Sequence, residues 1–449
     1  MGGEISDRAQ TGRSANHNPL RSEAANHLSS KTNQRIGVPY QSADFDFYLK
    51  TGLLVRQSNA HSFEYHLLAF GKDTNLFETA ATKNGLNEAE TEVGKLIAEK
   101  ERELSRKYHV DFSTSADEVP PYIIGTSTKC RAPDLGELAA IQSALEKRPR
   151  SEGTLIGSPA PKLYFLTKDN SAGTALGYYS LIGERPAIVF EPESLHGKPP
   201  TDLDKADWYG KGLSYSGSSA EFIVAHELAH HDQATLAQVD QTNEVSLPEG
   251  LQTSQRKTTD FSRRRSDFAE RQQYESIGWK LVKSNINGTF VDQWMLRGKD
   301  GFLYRHNGEV TEEGSWTRCN DDGHPVNEKG QISFFARGYT ITRQQMVENA
   351  VVRPITTYFS NPAEMQAEGL SAFRSGKEGR AVLLQRSDLL YQAMRTADQE
   401  QIDAKCPPRH GQDSVLIRSP DGELVVNNED NRRVIAEFEA KCKERSHSL

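Results

Sequence analysis

The stretch that most constrains this chain is Phe222-Ile-Val-Ala-His-Glu-Leu-Ala-His-His231, which sets imidazoles and a carboxylate into one apolar run. On an α-helix, residues four apart stand one turn above each other, about 5–6 Å between Cβ atoms, so His226 and His230 face the same side. That spacing lets two imidazole nitrogens meet one Zn2+ at about 2.0–2.1 Å each. Glu227 is turned by about 100° from His226. It is near enough to hold a water beside the metal without ligating it, which makes it the candidate general base. Val224, Ala225, Leu228 and Ala229 give the helix an apolar back. Ser218-Ser-Ala-Glu221 has the pattern of a capping box at its start. His231 falls about 100° beyond His230 and reads as a supporting or surface histidine rather than a ligand. Asp232 is a candidate to orient a ligand imidazole through its other ring nitrogen.

Two histidines leave a hydrolytic zinc site incomplete, because such sites use three protein ligands and keep one position for water. The best supplier of the third is Thr357-Tyr-Phe-Ser-Asn-Pro-Ala-Glu-Met-Gln-Ala-Glu368. Asn361 as N-cap and Pro362 at the first helical position begin a helix there. Glu364 and Glu368 then fall one turn apart on one face. One carboxylate can ligate zinc while the other steadies a ligand histidine. The Asn361-x-x-Glu364 spacing also fits a capping box, in which Glu364 closes its own helix.

His226-Glu-Leu-Ala-His230 followed far downstream by Tyr358-Phe-Ser-Asn-Pro-Ala-Glu-Met-Gln-Ala-Glu368 resembles the catalytic domain of anthrax lethal factor and its relatives. The run Pro133-Asp-Leu-Gly-Glu-Leu-Ala-Ala-Ile141, the strand set with Gly177-Tyr-Tyr179 and the pair Gly278-Trp279 are similar too, so the resemblance covers roughly residues 117–400. It implies an α+β, zincin-like metallopeptidase domain: a small mixed sheet with active-site helices. It further implies His226, His230 and Glu364 as zinc ligands, Glu227 as base, Glu368 as support behind the ligands and Tyr358 as a hydroxyl donor to the transition state. Two departures stand out. The gap from His230 to Glu364 is much longer than in the family's name-giving toxin, and the spacing from Tyr358 to Glu364 is one residue shorter.

The rest of the chain is organised around that domain. Residues 1–36 are rich in Ser, Asn, Arg and Gln and read as a disordered leader. Residues 37–116 form an accessory region with a long helix, in which Val93, Leu96, Ile97 and Leu104 mark an apolar stripe. The metallopeptidase domain, 117–400, opens with a helix carrying Leu135, Leu138, Ile141 and Leu145 and continues with β-like runs at 162–167, 176–181 and 187–191. Gly177-Tyr-Tyr-Ser180 is the candidate edge strand for an extended peptide; an interior hairpin is the alternative. A polar, Arg-rich loop spans 238–273. Turn signals at Lys299-Asp-Gly301, Asn307-Gly308 and Asp322-Gly323 mark a β-rich insertion over 279–335. A C-terminal hairpin and helix occupy 401–449.

Composition narrows the partners. A net charge of −8 argues against general affinity for nucleic acid or anionic membrane. No run of about 18 apolar residues suggests a transmembrane helix. Four widely spaced cysteines indicate neither a disulfide framework nor a Cys-rich zinc finger. The N-terminus lacks the apolar core of a secretory signal, so residence in the cytoplasm and export by another route, as for an effector, both stay open. Met1-Gly-Gly-Glu-Ile-Ser6 fits acylation at Gly2. Oligomeric state is not legible. The expected activity is zinc-dependent hydrolysis of peptide bonds in a protein or peptide substrate. The alternatives are a catalytically inactive binding or toxin-type module on the same fold, and a zinc hydrolase of a non-peptide amide.

Overall fold

The computed structural model describes residues 46–48, 53–59, 61–69, 72–121, 127–148, 161–167, 177–180, 186–191, 219–242, 271–286, 289–307, 315–333, 338–355, 359, 361–406, 408 and 413–446. The expected leader, Gly2, Tyr358 and most of the polar loop lie outside them. The described residues are mixed α and β, with several sheets. Two compact units emerge, one formed by residues 1–98 with 134–136 and the other by 99–133 with 137–449.

The first unit holds an antiparallel meander of β1 (Asp46–Tyr48), β2 (Leu54–Asn59), β3 (Ser62–Ala69) and β4 (Lys72–Ala80), in that spatial order. Short connections force sequential strands to lie side by side. Leu53, Val55, Phe63 and Tyr65 are buried, and the Tyr65 ring stacks on Phe77 with centroids 4.8 Å apart. Helix α1 (Lys83–Tyr108) begins in this unit, where Ala89 and Val93 are buried; its residues 99–108, with buried Leu104, belong to the second.

The second unit begins with a mixed sheet of β5 (Asp111–Phe112), β6 (Glu118–Val119), β7 (Thr128–Arg131), β8 (Lys162–Leu166), β9 (Gly177–Ser180) and β10 (Ala187–Phe190). The order is β6-β7-β8-β10-β9, with β5 also pairing β8. Strands β8 and β10 run parallel, Ala187 beside Lys162, and are buried along almost their whole length, as continuous runs such as Ala-Ile-Val-Phe require. Strand β9 pairs antiparallel with β10 and stands at the end of that order. Helix α2 (Leu135–Lys147) turns Leu138, Ile141 and Leu145 inward.

Helix α3 (Ser219–Thr242) packs against β9. It runs past Gln238, where the polar loop was expected to begin, because 234–242 contains neither Gly nor Pro to stop it. The other end of that expected loop is helical as well, over 271–276. The expected insertion, 279–335, carries β11 (Trp279–Ile286), β12 (Thr289–Arg297), β13 (Leu303–His306) and β14 (Trp316–Cys319) of a five-stranded antiparallel sheet, whose fifth strand, β15 (Thr340–Ile341), lies past its expected end. Gly278 enters it at φ +89, a conformation other residues rarely adopt.

Helices α4 (Arg343–Asn349), α5 (Pro362–Arg374), α6 (Lys377–Arg386) and α7 (Asp388–Lys405) follow, then the hairpin β16 (Leu416–Arg418) and β17 (Leu424–Val426) and helix α8 (Glu429–Ser446). The inserted sheet shares one hydrophobic core with the helices. Trp279, Leu296, Tyr304 and Trp316 join Ala229 of α3 and Met365, Leu370 and Phe373 of α5. Trp279 Nε1 donates to Met365 Sδ at 3.2 Å, which sets the sheet directly beneath α5. Among the described residues, no helix is long and apolar enough to cross a membrane.

Candidate metal centre

Helices α3 and α5 bring three candidate metal-binding side chains to one point. Asn361 caps α5 in an extended conformation and accepts a hydrogen bond from Glu364 N at 3.1 Å, with Pro362 behind it, as the Asn-Pro pair foretells. The Glu364 carboxylate reaches across to α3. Its Oε2 lies 3.0 Å from His226 Nε2 and 3.4 Å from His230 Nε2, and the two Nε2 atoms are 3.2 Å apart. One donor atom from each of the three residues falls within 4.8 Å of the others, a buried or half-buried cluster that could hold a metal ion. Two imidazoles and a carboxylate are the donor set of the His2Glu zinc site. Glu368, the other carboxylate of that face, is buried one turn further along α5.

The electrostatics follow from this convergence. Burial opposes ionisation of Glu364, but hydrogen bonds and charge from His226 and His230 outweigh it and hold the carboxyl well below its usual range. Burial also pulls His230 down, yet its bonds to Glu364 and the nearby Glu227 charge carry it above the usual histidine value. Glu227 is different. It is buried, and desolvation pushes its carboxyl up against the pull of the two histidines, with Glu364 adding to the rise. A carboxylate so raised is a better proton acceptor than an exposed one.

Strand β9 walls the site. Gly177 lies so close to Glu227 that a Cβ placed on it would stand 3.0 Å from Glu227 Oε1. Two residues on, the Tyr179 ring stacks over His230, with centroids 6.3 Å apart and 17° between planes, and meets His231 edge-on. Its hydroxyl is 3.3 Å from His231 Nδ1. His231 is therefore a buried neighbour of the site, outside the three-residue cluster.

One expectation changes. Asp232, two residues beyond His230, points about 200° away from it around the helix. Its oxygens meet guanidinium groups, Oδ1 that of Arg148 at 2.6 Å and Oδ2 that of Arg374 at 2.8 Å, and the Nδ1 of His230 lies against Gln233 instead. Of the expected capping box, Ser218 lies outside the described residues, and Glu221 pairs with Lys147 of α2. Arg374 also binds Asp398 of α7 at 2.7 Å, and Arg418 of the hairpin binds the other Asp398 oxygen at 2.6 Å. This buried chain of alternating charge ties α3 to α5, α7 and the hairpin. Arg374 and Asp398 lie 24 residues apart, and nothing in the sequence marks them as partners.

Compared with protein-family models, with curated proteins and with solved structures, the chain finds no match.

Proposed function

We propose that the chain is a zinc-dependent metalloendopeptidase of zincin architecture. The observation that carries this reading is the convergence of His226, His230 and Glu364 with a buried Glu227 one position along the same helix. The resemblance to the lethal factor family in His226–His230 and Tyr358–Glu368 supports it independently of that geometry.

The three residues would hold Zn2+ through His226 Nε2, His230 Nε2 and a Glu364 oxygen. A bound zinc ion supplies a Lewis acid for the scissile carbonyl and brings the pKa of water down to about 7. The protein's own part is proton traffic and placement. Glu227 takes a proton from the attacking water as its oxygen adds to the carbonyl carbon. It then gives that proton to the departing amine as the C–N bond breaks. Its raised affinity for protons suits both steps. Among the described residues, strand β9 ends the sheet order and lies beside α3, the place where an extended peptide would add as a further strand.

The test is identification of new protein termini in a lysate treated with the wild-type chain or with Glu227→Gln. The substitution keeps the side chain's size and removes the base. New termini formed only by the wild type are expected. Termini formed equally by both would exclude Glu227 as the base, and a complete absence of cleavage with zinc bound would favour an inactive binding module.

A further inference from the structure

His230 has a second nitrogen, and what it bonds forms a line of side-chain amides. His230 Nδ1 lies 3.3 Å from Gln233 Oε1. An amide oxygen only accepts, so Nδ1 must be the donor, and in the neutral ring Nε2 then presents its lone pair toward His226 and Glu364. Gln233 Nε2 donates to Gln366 Oε1 at 2.9 Å. Gln366 Nε2 donates to Gln273 Oε1 at 3.0 Å, and Gln273 Nε2 donates to Glu400 Oε2 at 2.9 Å. All four bonds run the same way, from imidazole N–H to a terminal carboxylate. They cross from α3 to α5, then to the helical turn before the inserted sheet, and end on α7.

We propose that Gln233, Gln366 and Gln273 are positioning residues for the metal centre, a relay that fixes the tautomer and ring orientation of His230. This rests on the metal-centre reading above. Direction is what separates the relay from ordinary glue between helices. An amide can point either way, but a chain anchored by a carboxylate at one end has to present an oxygen at the other. Only an oxygen there compels His230 to carry its proton on Nδ1. Partners behind a ligand histidine act this way in metal sites, and their loss weakens metal affinity about 10–100-fold. Gln366 is almost fully buried, at 2% exposure, so its amide has little access to water as a substitute partner. The chain also makes the segment leading into the insertion part of the site's support, through Gln273.

The test uses the full chain and two probes, Zn2+ and Co2+. Zinc dissociation constants are measured by chelator competition, and the visible spectrum of the Co2+ form reports ligand geometry. Gln366→Leu should bind zinc about 10–100-fold more weakly and shift the Co2+ bands. Gln366→Glu should stay closer to wild type than Gln366→Leu, because a carboxylate at 366 still accepts from Gln233 Nε2 and so keeps the Gln233 oxygen on His230. Gln273→Leu, half-buried and two hydrogen bonds removed from Gln233, should shift the bands in the same sense by less. It decides the matter alone if Gln366→Leu does not fold. Wild-type affinity and spectrum in folded Gln366→Leu or Gln273→Leu would overturn the relay while leaving the metal centre standing. Failure of the wild type to take up one Zn2+ or Co2+ per chain would overturn both.

Discussion

Gly177 and Glu227 touch: the backbone of the sheet's last strand lies where any side chain at position 177 would press on the carboxylate of the proposed base. A methyl group there would stand 3.0 Å from Oε1 and 3.1 Å from Cγ. Gly177→Ala should therefore displace Glu227 by a few tenths of an ångström without touching the ligands. Because a misplacement of about 1 Å can cost about 100-fold, a drop in kcat/KM of roughly tenfold is expected. Steady-state kinetics with zinc content measured in parallel checks this. Unchanged kinetics would mean that the carboxylate has room to spare.

The inserted sheet holds α5 from below through Trp279 and Met365. Trp279 is buried in the shared core, and Trp279→Ala should cost about 3–5 kcal/mol by leaving a cavity there. Urea unfolding measures that loss. Because Met365 follows Glu364 directly, zinc affinity should fall with it. A stability loss under 1 kcal/mol would show that the sheet is a separate lobe.

Asp398 gives a pH signature. Burial would raise its pKa, but Arg418 and Arg374 hold it down at about 2, against an ordinary value of 3.8. A depressed carboxyl stabilises the fold above its unfolded pKa, and that contribution is lost as pH falls through the folded value. The shift corresponds to about 2 kcal/mol, present above about pH 4 and fading toward pH 2. Asp398→Asn should destabilise the fold at neutral pH, since it leaves two buried guanidinium groups short of their anion. The gap to wild type in urea midpoint should begin to narrow below pH 4. A gap that is constant down to pH 3 and below would deny the ion pairs their role.

Removing metal should loosen the junction of α3 and α5. A ligand that binds only the folded state at a hundred times its Kd stabilises by about 2.7 kcal/mol. A chelator should therefore lower Tm by several degrees in the wild type. It should do much less in His230→Ala, where a ligand is already missing. Equal shifts in both would place the stabilising metal elsewhere.

Much of this site is legible in the sequence because its chemistry is local. His226, Glu227 and His230 need only helical geometry to be placed, and Asn361-Pro362 announces the start of the helix that carries Glu364. Choosing Glu364 over Glu368 is not local: the two share a helical face, and only the crossing of α3 and α5 brings Glu364 to the histidines. Asp232 misleads because proximity in sequence to His230 suggests support for it, whereas 200° of helix turns it toward Arg148 and Arg374. The relay is invisible for the same reason. Gln273 and Gln366 are 93 residues apart, and glutamine carries no motif. A scan of polar residues three or four positions from each ligand histidine would have singled out Gln233, but nothing beyond it. Likewise, turn signals mark the β-rich insertion as hairpins, yet its shared core with α5 depends on tertiary packing.

The most direct test is the zinc content of dialysed protein, wild type beside Glu364→Ala. One zinc per chain in the wild type is expected, with most of it lost from a folded Glu364→Ala. Equal zinc in the two proteins, or none in the wild type, would contradict a centre built from His226, His230 and Glu364.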